Sequence, residues 1–372
     1  MREKSGKSSE KNMDAAADSP EASAPLRSIH TNNFPTLLNS LGVSLVVSTY
    51  QAGKVVLIRA DGDRLNTHFR VFKKPMGLAA DSAGRVAIGT SAHIWEFRNV
   101  PAAAPKLEPA NKYDACFLPR NIHVTGDIDI HEMAWGHEGL WFVNTRFSCL
   151  CTQDLDHSFV PRWRPPFVSA YAPEDRCHLN GLELRDGVPK YVTALGTTNT
   201  VGGWRSQKAQ GGVLMDVTTN DIIAQGLSMP HSPRWHQNQL WVLESGEGSL
   251  AKADVSTGEV EPVVQLPGFT RGIDFYGPLA FIGLSQVRES AVFSGLPLTQ
   301  RLTERNCGVW VINIETRETV AFLKFEDAVQ EIFAVQVLPN IRFPELFIEE
   351  NTFLQSSYIL PDAALAEVEF SQ

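Results

Sequence analysis

HEMAWGHEGLW, residues 131–141, returns as HSPRWHQNQLW at residues 231–241, with His131/His231, Trp135/Trp235, Leu140/Leu240 and Trp141/Trp241 in register. The match continues ungapped to Leu150/Leu250 and Asp154/Asp254, a constant offset of 100 residues. HLNGLEL from His178 divides that interval into 47 and 53, so the unit is about 50 residues and the offset spans two units. A period of this size settles the architecture before any motif is considered.

Other units begin at PMGLAAD (Pro75), TRGIDF (Thr270) and EIFAVQV (Glu331). A second signature lies later in the unit. Asp216-Val-Thr-Thr, Asp254-Val-Ser-Thr and Asn313-Ile-Glu-Thr each pair an Asx residue with a Thr, the chemistry of a tight turn between strands. Between the signatures run short β-rich segments such as SLVVSTY, KVVLIRA, GLWFVNT, QLWVLES and VWVINIE, punctuated by Gly, Asp and Asn. Each unit therefore reads as a four-stranded meander A-B-C-D, and such units make an all-β, six-bladed β-propeller. Five blades start at 75, 131, 178, 231 and 270. The start at 331 supplies only an A strand, and VSLVVSTY, KVVLIRA and THFRVF near the N-terminus are three strands without an A. Joining them closes the ring with strands from both chain ends and removes its exposed edges. A seventh blade built from residues 345–360 is the alternative. FPTLLNSL, residues 34–41, reads as one short helix. Residues 1–27, rich in Ser, Ala, Lys and Glu, read as a disordered tail; residues 28–345 form the single propeller domain, and 346–372 a C-terminal extension packed on it.

The 372 residues are 43% hydrophobic and 20% charged, with 33 Lys and Arg against 42 Asp and Glu, a formal charge of -9. That composition supports an ordinary folded core. It offers no basic stripe for phosphates, so no nucleic-acid partner is expected. No apolar run approaches the roughly 18 residues of a membrane span, and the charged start MREKSGKSSEKNMD lacks a signal peptide's apolar stretch. The expectation is a cytoplasmic protein with no membrane association. Its 5 cysteines lack zinc-type spacing and read as reduced, mostly buried thiols.

In a propeller the A strands line a central channel, so polar residues at their heads meet at one mouth. Those heads offer His131 and Glu132, His178 and Asn180, His231, Arg271 and Glu331. Imidazoles move protons near neutral pH or ligate metals, carboxylates act as bases, and a guanidinium holds an anion. His131, Glu132, His178, His231 and Glu331 are the catalytic candidates. His131, His178 and His231 are also candidate ligands for a divalent metal ion, and Asn180 and Arg271 are candidate substrate contacts. Two blades carry insertions between strands B and C. GTTNTVGGWRSQKAQGG contributes Trp204 and Arg205, and QVRESAVFSGLPLTQRLTERN contributes Arg288 with Arg301 and Arg305. Both are read as a cationic lid over the mouth, with Gly202, Gly203, Gly211 and Gly212 as flexible flanks for Trp204. Gly246-Glu-Gly248 is not a dinucleotide loop, because a strand follows it where a helix is required. Cys177 beside His178 is read as structural, since adjacent strand residues face opposite ways.

GDIDIHEMAW, LWFVNTRFSCL, FVPRWRPPFVSAYAPEDRCHLNGL, YVTALGTTNTVGGWR, GLSMPHSPRW, LPGFTRGIDF, FIGLSQVRES and EIFAVQVLP together resemble a bacterial family of conserved hypothetical proteins with a domain of unknown function, over residues 30–345. The resemblance implies a propeller-like fold and brings no activity with it. More distantly, HLNGLEL and TRGIDF look like strand heads of the six-bladed gluconolactonase, strictosidine synthase and paraoxonase superfamily. That likeness implies a divalent metal held by an acidic residue and an Asn, places taken here by Glu132 and Asn180. His131, His178, His231 and Arg271 depart from that superfamily's set. The expected function is that of an enzyme, a hydrolase, lyase or isomerase, acting on a small or peptide-borne anionic substrate at the mouth. The alternative is a noncatalytic propeller binding a small ligand or protein partner through the same face.

Overall fold

Six sheets form in the computed structural model, which describes residues 26–287, 294–348 and 352–368. The sheet that closes the ring takes its innermost strand, Ala334–Pro339, from the C-terminal side, and Val43–Ser48, Lys54–Asp61 and Arg64–Val71 from the N-terminal side. This is the first blade. The second runs Leu78–Ala80, Arg85–Gly89, His93–Asn99, Ala115–Val124, and the third Ile130–Gly136, Gly139–Asn144, Cys149–Thr152, Val160–Trp163. The fourth, fifth and sixth begin with Leu179–Arg185, Pro230–His236 and Phe269–Tyr276. Each innermost strand packs on those of the two neighbouring blades, and the cycle closes between the sixth, first and second. The molecule is a six-bladed β-propeller. The described residues of 345–360 do not build a seventh blade: Pro344–Leu346 adds a parallel edge strand to the second, and Thr352–Ser356 is a short helix. Ser28–His30 likewise extends the sixth blade at its outer edge.

Burial explains the sequence pattern. A middle strand is covered on both faces by adjacent sheets, so Val43–Ser48 is buried at every position and reads as a continuous apolar run. The outer strand Arg64–Val71 is half-buried throughout its middle and alternates less cleanly. Between sheets lie side chains such as Phe97, Phe117 and Phe142, each with essentially no exposure, and each contributing roughly 2–3 kcal/mol by removal from water. The Asx signatures close the C–D turns. The side chains of Asp216, Asp254 and Asn313 each accept the backbone N–H groups two and three residues on. Phe34–Leu41 is a helix that buries Phe34 and Leu38 against the first and sixth blades, and it ends at Gly42 in the left-handed conformation. Among the described residues no helix is long and apolar enough to cross a membrane.

Candidate functional site

The innermost strands share one register, set by the pairing of Ala79, Ala134, Glu183, Arg234, Asp274 and Gln336 with their second strands. Three residues before these stand Met76, His131, Asn180, His231, Arg271 and Phe333. Five before stand Lys74, Asp129, His178, Met229, Phe269 and Glu331. Spacing by two keeps both sets on the channel side of their strands. The first set forms an inner ring and the second an outer one. His178 is therefore not the counterpart of His131 and His231. Asn180 holds that place, and His178 sits one step nearer the mouth beside Asp129 and Met229. All three of these adopt left-handed backbone conformations, with φ of 52°, 54° and 47°.

A cavity of about 250 Å³ opens at this mouth, lined by Tyr50, Asp129, His131, His178, Trp204, Arg205, Met229, His231, Phe269, Arg271, Glu331 and Phe333. His131 is buried and fully bonded. Arg271 Nη2 donates to its Nε2 at 2.9 Å, so the imidazole proton is on Nδ1. That N–H meets the Asp129 carbonyl at 3.0 Å and Thr145 Oγ1 at 2.7 Å, while the Thr145 hydroxyl donates to the Leu179 carbonyl. Burial pushes the His131 pKa down to about 3, Asp129 opposing and Arg271 assisting. His231 repeats the device, its Nδ1 bonded to the Met229 carbonyl and Ser245 Oγ, both at 2.9 Å. Burial and then the Arg271 charge hold it well below the ordinary imidazole range.

His178 is arranged differently. Its Nδ1 donates to Asp175 Oδ1 at 2.9 Å, and the other Asp175 oxygen receives Trp204 Nε1 at 2.9 Å and Arg205 Nη2 at 3.2 Å. The ring lies against Trp204, centroids 4.4 Å apart, and edge-on to His131 at 4.9 Å. A carboxylate accepting from Nδ1 leaves the lone pair on Nε2, which makes no hydrogen bond among the described residues. Arg271 stacks 3.6 Å above the Phe333 ring. Burial lowers its pKa, and Glu331 and Asp129 oppose that; a guanidinium stays charged throughout. Burial also works against ionisation of Asp129. The surrounding positive charge, the Arg271 and Arg146 guanidiniums included, outweighs it and holds the carboxyl below its usual range.

Two expected site residues lie elsewhere. Glu132 follows His131 on the same strand and so faces away. Its carboxylate accepts the Leu182 N–H and forms a two-point pair with Arg234 at 3.0 and 3.2 Å, toward the opposite channel mouth. Asn180 is buried, donating to the Pro230 carbonyl and accepting from Thr193, and ties two blades together. With both nitrogens of His131 engaged, and Glu132 and Asn180 used by the scaffold, the expected metal sets do not fit. Among the described residues no three His, Cys, Asp or Glu side chains gather as a metal-ligating group. Arg288 lies outside the described residues.

The lid reading also changes. Trp204 is 2% exposed and packs with Leu195, Met229, Phe269, Val287, Leu296 and Leu298, so the described residues of the two insertions share one apolar cluster. Gly212 is no flexible flank, since a Cβ there would lie 2.2 Å from Pro230 Cδ. Arg301 and Arg305 donate to backbone carbonyls of Glu247, Leu266, Val287 and Leu302, which leaves Arg205 as the described lid arginine that reaches the cavity. Asp129, Tyr50, Met229, Phe269 and Phe333 are not among the expected site residues, and Asp175 was expected only as part of the run Glu174–His178 leading to the rim. An Asp three residues before His178 was the available signal for Asp175. Nothing local marks the aromatic residues, which read as ordinary strand positions.

Residues 32–347 match the family described as a domain of unknown function, DUF4915. No curated protein matches the sequence. Among solved structures the chain is similar to one in the nidogen/laminin complex, with TM-score 0.51 and 10% identity over 80% of this chain and 99% of that one. It is also similar to a protein of unknown function from Bacteroides caccae, with TM-score 0.48 and 11% identity over 80% and 98%. At 10% identity the first of these likenesses speaks to the fold alone, and a propeller by itself names no activity.

Proposed function

Since the chain belongs to the DUF4915 family, whose description assigns no activity, we propose a function from the mouth alone: an enzyme that binds a small molecule bearing an anionic group and moves a proton on it. The observation that carries the reading is the Asp175–His178 pair. A carboxylate fixed by Trp204 and Arg205 orients the imidazole with its lone pair on Nε2, which is how a general base is built. Arg271 supplies donors for the anionic group, and its stacking on Phe333 sets their plane. His231, with its proton held on Nδ1, offers a hydrogen-bond acceptor nitrogen to the same cavity. Hydrolase, lyase and isomerase chemistry all use such a base.

The test is incubation of the protein with a cellular metabolite extract, followed by mass spectrometry. Wild type is expected to consume an anion-bearing compound that His178→Gln leaves intact. A second reading, a noncatalytic propeller that holds a ligand through the same face, draws on the scaffold-bound state of His131. A compound retained unchanged by wild type and His178→Gln alike would establish that reading and overturn the first.

A further inference from the structure

Asp129 and Arg271 line the same cavity with opposite charges, and among the described residues neither makes an ion pair. Glu331 and Arg205 line the cavity too; Arg271 is acted on by Glu331 first and then by Asp129, and Asp129 by Arg271 among others. Both side chains are half-buried, and partly desolvated charges without a salt bridge gain when a ligand supplies complementary groups. A plain anion on Arg271 would face the Asp129 carboxylate. A plain cation on Asp129 would face the guanidinium, and a neutral ligand would desolvate both for no return. Met229, Phe269 and Trp204 form an apolar wall beside the pair. The volume, about 250 Å³, is below the roughly 300–1,000 Å³ of pockets for drug-sized ligands.

We infer that the molecule held here is a small zwitterion of the α-amino-acid type, its ammonium group on Asp129, its carboxylate on Arg271 and an apolar side chain against Met229 and Phe269. This rests on the proposed reading of the mouth and narrows its anionic ligand to one class. An amino acid carries both charges on one small molecule, which suits a cavity of this volume lined by groups of both signs.

Calorimetric titration with L-phenylalanine, phenylpropanoate and phenethylammonium tests it, since these differ only in which charge is present. Phenylalanine is expected to bind tighter than either analogue by about tenfold or more, the effect of one charge-assisted hydrogen bond. Asp129→Asn should erase its advantage over phenylpropanoate, and Arg271→Gln its advantage over phenethylammonium. The analogues make the same deletions on the ligand side, so the comparison stands even if a variant fails to fold. Phenylpropanoate binding as well as phenylalanine would overturn the zwitterion while leaving an anion site. Indifference of phenylalanine to Asp129→Asn, or no binding of any probe at millimolar concentration, would also overturn it. These probes report binding alone. A protein that binds them and consumes nothing through His178 therefore refutes the catalytic reading without touching this one.

Discussion

His131 carries no charge in the fold because Arg271 occupies its Nε2 and burial forbids a second proton. In the unfolded chain the same imidazole protonates near 6.5, whereas in the folded protein it resists until about 3. Below 6.5 the unfolded state binds more protons, so this contribution to stability is complete above 6.5 and is lost as the pH falls toward 3. His231, also held below the ordinary range, adds in the same direction. Each histidine makes a slope of about 1.4 kcal/mol per pH unit. Glu183, whose pKa burial raises to about 7, acts in the opposite direction over the same range. The decisive comparison is therefore between proteins: from pH 6.5 to 5 the urea midpoint of His131→Gln is expected to shift toward higher values relative to wild type. An unchanged slope in the variant would mean that His131 protonates normally in the fold.

At the scale of the strand, the channel is narrow enough that one methyl group matters. A Cβ on Gly77 would lie 1.8 Å from the carbonyl oxygen of His131 on the neighbouring blade. Gly77→Ala must therefore separate two innermost strands and displace the strand that holds His131. Its expected effect is a loss of more than about 3 kcal/mol in denaturant unfolding, in the tail of single-substitution costs. The same crowding explains what the sequence could and could not reveal. The repeat of His131 and His231 is legible because both blades are free of insertions and their turns match, so every step falls at one offset. His178 misleads because the loop before it shifts the count by two, and a left-handed residue at the strand head leaves no mark in the string of letters. Glu132 was misplaced for a reason the sequence does contain: neighbours on a strand point opposite ways, so it could not share the mouth with His131. Asp175 was visible three residues before His178, but its partners Trp204 and Arg205 come from an insertion whose path only packing decides.

At the scale of the molecule, the two chain ends are bound together by charge as well as by strand pairing. Glu345, on the strand Pro344–Leu346, is buried and meets Arg70 at 2.6 Å, His68 at 3.2 Å and Arg59 at 3.8 Å. Arg59 itself is 3% exposed and lies 4.0 Å from the Phe343 ring. Burial raises the cost of ionising Glu345, yet its hydrogen bonds from His68 and Leu346 and the Arg70 charge keep its carboxyl below the usual range. Glu345→Ala would leave the Arg59 guanidinium buried without its carboxylate. The expected cost is about 3–5 kcal/mol, read as a lower thermal midpoint. A midpoint like that of the parent protein would show that the bonds Arg59 already donates to Asn66 Oδ1 and the Pro344 carbonyl suffice for it.

The mixed parentage of the first blade sets a schedule for synthesis. Val43–Ser48 leaves the ribosome early, and its partner Ala334–Pro339 emerges almost three hundred residues later. Throughout that wait its backbone edge is an open template for any other extended segment. A nascent chain that stalls before residue 334 keeps the template bare, so truncated products should be the ones that stick to one another and call on chaperones, while the finished ring is indifferent to both.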